Sequence, residues 1–207
     1  EFMAARPQVG LAGSAIEEQR GVVWPYAFRF PSLLSELDDG LKLGLVTKLL
    51  SRWAILRPMD GREACVDWVP GASLMVKREV FDAIGLMDEN YFLYYEETDY
   101  CLQAKRAGWD CWYVPKSRVF HVVGASTGLV DRPPEPRRIP RYWFESRRRF
   151  FIKNRSRVYA MATDLVWMLS YALWRLRRVL QRKDGFEPPQ LFADFVRNSS
   201  LMTSSAL

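Results

Sequence analysis

The stretch "VDWVPGASLMVKREVFDAIGLMDENYFLYYEETDYCLQAKRAGWDCWYVP", residues 66–115, decides the fold class of this chain. Its pattern predicts a strand, a Pro-Gly turn, a strand, a short helix, a loop, a longer helix and a strand. The short helix is predicted to end at Gly85, because glycine is the preferred residue just after a helix. Strands that alternate with short helices predict an α/β fold.

Three carboxylates stand within four residues at the start of the longer helix, which is predicted over residues 97–107: Glu96, Glu97 and Asp99. Negative charge at a helix N-terminus contributes roughly 0.3–1 kcal/mol per residue, which accounts for one or two of them. Three such residues indicate a functional site. Carboxylates that lie close together raise the pKa of one of their number, and a raised pKa suits that carboxylate to act as a base. The alternative is that all three cap the helix and face solvent.

The charge of the chain is divided between two regions. Residues 1–131 hold 14 Lys and Arg against 18 Asp and Glu, whereas residues 132–207 hold 16 against 6. This asymmetry predicts two functional units, the second with an anionic partner. No stretch reaches the ~20 apolar residues of a membrane-spanning helix. Three cysteines without a C-x-x-C pair are predicted to be reduced thiols of a cytoplasmic protein.

A Pro-rich segment, residues 131–140, is predicted to be a stiff linker in which no helix can run. Residues 1–130 before it are predicted to form an α/β domain, in which a short buried strand over residues 9–11 is closed by Gly13 and Ser14. Residues 141–207 are predicted to form a basic, aromatic and mainly helical extension.

Residues 137–157 carry nine Lys or Arg and one Glu among aromatic residues, and an apolar stretch with a second basic run follows them. Basic flanks around an apolar helix with Trp and Tyr are typical of a helix that lies in a membrane interface. Two alternatives are a helical hairpin packed on the α/β domain and a surface that binds nucleic acid. No nucleic-acid motif occurs, so no nucleic-acid partner is predicted.

Five short motifs in register resemble the family 2 glycosyltransferases. They are the Pro-Gly-Ala turn, "GLMDENYF", the E-E-x-D cluster, the pair "AGW" and "YVP", and a terminal "FH". The similarity is greatest to the bacterial rhamnosyltransferase-like branch, which builds cell-wall and surface polysaccharides. It implies a GT-A, Rossmann-like catalytic domain over residues 1–130. It also implies inverting transfer of a sugar, with rhamnose as a candidate, from a nucleotide-diphosphate sugar to a lipid-linked or polysaccharide acceptor.

The resemblance also assigns roles to the acidic cluster. Glu97 takes the position of the general base, where the family usually has Asp, and Glu96 and Asp99 support it. A base of this kind accelerates transfer roughly 10²–10⁴-fold. Gln103 stands where the family commonly has Arg, which puts a salt bridge to the cluster in doubt.

Trp68, Gly71 and Ala72 are predicted to bind the acceptor. The tryptophan would stack on a sugar ring, and the two small residues would let the acceptor approach the backbone closely. The alternative is a tight turn over a core tryptophan.

His121, the sole histidine, matches a strand-end histidine that helps to hold a divalent cation in the family. The resemblance therefore implies Mg²⁺ or Mn²⁺, with further carboxylates from an Asp-x-Asp motif. The alternative is a structural histidine. No Asp-x-Asp occurs in the 207 residues. The chain is therefore expected to be a C-terminal portion that lacks the N-terminal nucleotide-binding half and is inactive by itself.

The partners implied are a lipid-linked glycan acceptor and the inner leaflet of the membrane. The predicted location is cytoplasmic and peripheral, on the inner face of the cell membrane. The competing hypothesis is a non-catalytic module that binds anionic membranes and is derived from such a domain.

Overall fold

The computed structural model describes residues 1–19, 22–24, 26–121, 137–182 and 187–203. The strands in these ranges are β1 (Val9–Gln19), β2 (Val22–Val23), β3 (Tyr26–Phe28), β4 (Leu56–Pro58), β5 (Ala64–Val66), β6 (Leu74–Val76) and β7 (Asp110–Phe120). The helices are α1 (Leu33–Leu41), α2 (Gly44–Leu49), α3 (Arg78–Ile84), α4 (Glu96–Arg106), α5 (Arg141–Asn154), α6 (Arg157–Leu180) and α7 (Leu191–Asn198). Among the described residues, no helix is long and apolar enough to cross a membrane.

The first of two compact units comprises residues 1–30, 56–90 and 96–132. Its main sheet is mixed, because β1 pairs in parallel with β7 but antiparallel with β2 and β6, and β5 pairs antiparallel with β7. Residues of β1, β7, α3 and α4 form a single apolar core. The predicted α/β class and the helix that ends at Gly85 are both confirmed.

Strand β1 continues through Gly13 and Ser14 to Gln19, so the prediction that these two residues close the strand is wrong. A Cβ atom placed on Gly13 would lie 2.6 Å from the Cβ of Val69. Glycine is needed here because another segment packs directly against the strand, and not because the chain turns.

The second unit comprises residues 31–55, 91–95 and 133–207. Helix α1 packs along α6, where the indole N–H of Trp167 donates to Asp39 at 2.7 Å. The predicted helical C-terminal part is confirmed. The side chain of Ser32 caps the N-terminus of α1. Sequence analysis did not anticipate that residues 31–55 and 91–95 pack with these helices. Most of the predicted linker lies outside the described residues.

A buried arginine is at the centre of the second unit. Arg147 donates to Asp164 at 2.5 Å and to Glu36 at 2.6 Å. Its guanidinium lies over the rings of Phe151 and Phe195. Burial by itself lowers the pKa of Arg147, but the two carboxylates outweigh it and raise that pKa above its ordinary value.

Candidate functional site

The acidic cluster lies where α4 begins, at Glu96. The two residues before the helix, Tyr94 and Tyr95, both have left-handed backbones, with φ values of 69° and 68°. Such a conformation is uncommon for residues other than glycine and costs free energy unless the surroundings impose it. These two left-handed residues bend the chain directly before α4, and so they affect the direction in which the first carboxylates of the helix point.

Glu97 is held by a backbone amide from the Pro-Gly turn. Its Oε1 atom accepts a hydrogen bond from the N–H of Gly71 at 3.2 Å. Its Oε2 atom is buried and has no hydrogen-bond partner among the described residues. One oxygen is thus positioned by the protein and the other is left to accept a proton or a hydrogen bond from a ligand.

Glu96 has a similar unsatisfied oxygen. Its Oε2 atom is buried without a hydrogen-bond partner in the described part of the chain. Burial raises the pKa of Glu96 above its ordinary value, and the negative charge of Glu97 raises it further. Buried polar atoms are normally paired, so two unsatisfied carboxylates side by side indicate a binding site.

Asp99 is only 2% exposed, so it does not face solvent. The side-chain amide of Gln103 donates to its Oδ1 atom at 3.4 Å. Gln103 therefore contacts the acidic cluster through a neutral amide.

The three residues predicted to bind an acceptor differ in their surroundings. Trp68 is half-buried, donates its indole N–H to the carbonyl of Arg29 at 3.0 Å and stacks on Phe28. One face of its ring is therefore covered by the protein. Gly71 and Ala72 are exposed, and the contact between Gly71 and Glu97 brings the turn to the acidic cluster.

Three serine hydroxyls, which the sequence analysis missed, lie beside the same turn. The Oγ of Ser14 is 2.8 Å from both the Oγ of Ser73 and the Oγ of Ser117. All three, together with Gly71 and Ala72, line a cavity of about 430 Å³. Ser117 reaches this position because the pairing of β1 with β7 shifts register between Ser14 and Ala15. No sequence signal joins serines that are so far apart in the chain.

The implied metal site is not supported by the described residues. His121 directly follows β7 and donates its backbone N–H to the carbonyl of Glu17 at 2.9 Å. Within the described ranges, no group of three His, Cys, Asp or Glu residues is placed to hold a metal ion. A divalent cation needs several oxygen or nitrogen ligands, so His121 and its described neighbours do not form such a site by themselves.

The chain is similar in sequence to several curated glycosyltransferases. It is 31% identical over 131 residues to an N-acetylglucosaminyl-diphospho-decaprenol L-rhamnosyltransferase of Mycobacterium tuberculosis, a match that covers 59% of this chain and 40% of the relative. It is 34% identical over 96 residues to the Escherichia coli rhamnosyltransferase WbbL, covering 46% of this chain and 34% of that protein. It is also 34% identical over 64 residues to the Haloferax volcanii low-salt glycan biosynthesis hexosyltransferase Agl10, covering 31% and 19%.

The chain thus spans at most 40% of the length of these relatives. No protein-family model and no solved structure matches it.

Proposed function

The chain is a relative of the rhamnosyltransferase-like family 2 glycosyltransferases, and we propose that it supplies the acceptor side of a glycosyl-transfer site. One observation carries this proposal: Glu97 is oriented by the amide of Gly71 through one oxygen, while its other oxygen is buried and unpaired in the described residues. A carboxylate in this state is suited to remove a proton from a hydroxyl group.

The proposed reaction assigns one step to each group. The unpaired Oε2 of Glu97 takes the proton of an acceptor hydroxyl, and the acceptor oxygen forms a bond to the anomeric carbon of the donor sugar. The bond from that carbon to the diphosphate breaks, and its electron pair leaves with the nucleotide diphosphate. Attack from the opposite side inverts the configuration. Glu96 and Asp99 would shape the local field and bind acceptor hydroxyls.

The polar lining of the cavity beside Gly71 is suited to a ligand with several hydroxyl groups, such as a sugar. Its three serine hydroxyls can both donate and accept hydrogen bonds. Because Gly71 and Ala72 have small side chains or none, a ligand in this cavity can approach the backbone of the turn. We assign this cavity to the acceptor sugar or to the sugar being transferred, and the names of two relatives favour rhamnose as the latter. No step is assigned to a metal ion, because the described residues do not form a site for one.

The proposed acceptor is a lipid-linked or polysaccharide glycan, and the proposed location is the inner face of the cell membrane. The basic and aromatic residues of α5 support this part of the proposal. Phe92 is exposed and contacts Tyr142, which also stacks on Tyr94, and the neighbouring Arg141 is exposed. Such clusters of cationic and aromatic side chains suit a membrane interface.

The test is Glu97→Gln in the complete protein that contains these residues. Glutamine keeps the shape and can still accept the Gly71 amide, but it cannot take a proton. We expect transfer from a nucleotide-diphosphate rhamnose to fall roughly 10²–10⁴-fold in kcat, with KM for the donor little changed. The matched control is Glu79→Gln, an exposed carboxylate on α3, which should leave the rate unchanged. Retention of the full rate in Glu97→Gln would refute the assignment of the base.

A further inference from the structure

Helix α6 has an apolar face that the described part of the chain leaves exposed. Seven large aliphatic side chains recur at steps of three, four and seven residues, which places them on one side of a helix. They are Val158, Leu165, Leu169, Leu173, Leu176, Val179 and Leu180, and between 46% and 76% of each side chain is exposed. The stripe runs along the whole of the 24-residue helix.

The opposite side of α6 is the one that packs in the second unit. Thr163, Asp164, Trp167 and Tyr171 are all buried there. The interior of the unit therefore accounts for the apolar residues on one side of α6 only. A second, exposed apolar stripe along a whole helix marks an interaction surface, because monomeric proteins rarely expose contiguous apolar patches larger than a few hundred Å².

The charges along this stripe have one sign. Successive residues of an α-helix are turned by about 100°, so Arg175 and Arg177 lie on opposite flanks of Leu176, and Arg157 flanks Val158. The only carboxylate of α6 is Asp164, which is 1% exposed and bonded to Arg147. The exposed side of α6 thus combines an apolar centre with arginine borders and carries no carboxylate of its own. Of these arginines, Arg175 pairs with Glu187, which lies beyond the helix, at 3.7 Å.

From this arrangement, and resting on the proposed function, we propose that α6 lies flat in the interface of an anionic bilayer. Its aliphatic stripe enters the boundary of the acyl chains, and the bordering arginines contact lipid phosphates. A second copy of the chain is a poorer occupant, since pairing two α6 helices in either direction would bring their arginines together, and α6 itself has no exposed carboxylate to offset them.

Flotation of the complete protein with lipid vesicles tests this surface. The probes are vesicles of phosphatidylcholine alone and vesicles that also contain phosphatidylglycerol. The variant is the double substitution Leu169→Gln with Leu176→Gln, because glutamine is a good helix former. The matched control is Leu86→Gln with Met202→Gln, two apolar side chains of comparable exposure outside α6.

We expect binding to the anionic vesicles only. The α6 variant should bind at least about tenfold more weakly, because two leucines no longer enter the apolar boundary, and the control should bind like the unchanged protein. Equal binding by both variants, or no binding of the unchanged protein, would overturn the proposal. So would a dimer in light scattering that the α6 variant dissociates, because the stripe would then belong to a subunit interface.

A second measurement separates this surface from the proposed activity. With a water-soluble diphosphate-linked acceptor sugar, the α6 variant should transfer at the unchanged rate. Vesicle binding that depends on α6 in a protein without any transferase activity would refute the proposed function and leave the membrane surface standing.

Discussion

The Oε1 atom of Glu97 accepts the backbone N–H of Gly71 at 3.2 Å. Twenty-six residues separate the two, and the bond joins the first turn of α4 to the Pro-Gly turn before β6. It satisfies one oxygen of the carboxylate and leaves the buried Oε2 without a partner in the described residues. The turn therefore orients the proposed base as well as bordering the cavity.

Removing this single donor should impair catalysis without disturbing the fold. Gly71→Pro deletes the N–H, and the extended backbone of Pro70, with ψ at 143°, is the conformation that a following proline requires. A hydrogen bond to a charged group is worth about 1.5–3 kcal/mol, so we expect kcat to fall roughly ten- to hundredfold.

Gly71→Ala is the control for this substitution. Its Cβ would lie 3.8 Å from the nearest atom, Oε1 of Glu97, which is ordinary contact. The N–H remains, so the rate should stay near that of the unchanged protein. Equal losses in the alanine and proline variants would show that space, and not the hydrogen bond, matters at this turn.

The raised pKa of Glu96 predicts a pH dependence of stability. A carboxyl group whose pKa is higher in the folded than in the unfolded state favours folding at low pH, and this contribution disappears as the pH rises through the folded pKa. Relative to Glu96→Gln, the unchanged protein should lose free energy of unfolding as the pH rises from about 4, the ordinary pKa of a glutamate, towards neutral. Urea denaturation of both proteins across this range measures it, and parallel curves would contradict the unusual environment of Glu96.

Arg147 should be essential to the stability of the second unit. Arg147→Met leaves Glu36 and Asp164 buried without their shared cation. Breaking a buried ion pair from one side typically costs about 3–5 kcal/mol, so chemical denaturation should show a loss of that size. The control is Arg62→Met, whose exposed pair with Asp60 should contribute nothing measurable. A loss no larger than that of the control would mean that the carboxylates find other partners.

Gly40 should be intolerant of any side chain. A Cβ there would lie 1.9 Å from the Oγ of Ser170 and 3.0 Å from the carbonyl oxygen of Trp167, so Gly40→Ala should destabilise the protein by about 1–3 kcal/mol. Combining it with Ser170→Ala removes the closest atom and should restore part of the loss. Gly44→Ala, which meets nothing within 4 Å, should show no loss in the same thermal denaturation. Independent effects of the two substitutions would contradict direct packing of α1 on α6.

The local elements of the first unit could be predicted from the sequence because their signals are short-range. The Pro-Gly turn, the stop at Gly85 and the acidic start of α4 each depend on neighbouring residues. Gly13 shows the limit of such signals. The same residue type that ends a strand elsewhere is used here for close packing against Val69, which is a contact between distant segments.

The residues of the candidate site likewise fall into those that the sequence predicted and those that it did not. Glu96 and Glu97 were identified from their pattern, and Gly71 from the turn that contains it. The serines at positions 14, 73 and 117 could not be found, since their hydroxyls meet only when β1, β6 and β7 lie side by side. Whether the three hydroxyls meet depends on the register in which the strands pair, and the sequence of one segment does not predict that register.

The sequence by itself determined the α/β class, the positions of the principal helices and the three acidic residues proposed to act at the site, Glu96, Glu97 and Asp99. These follow from hydrophobic period, helix-end chemistry and charge, all of which act within a few residues. Tertiary structure alone decided that Gly71 binds Glu97, that residues 31–55 pack with α6 and that the outer face of α6 is exposed within the described residues. The physical reason is that packing and hydrogen bonding between distant segments depend on their arrangement in space, which the local pattern does not encode.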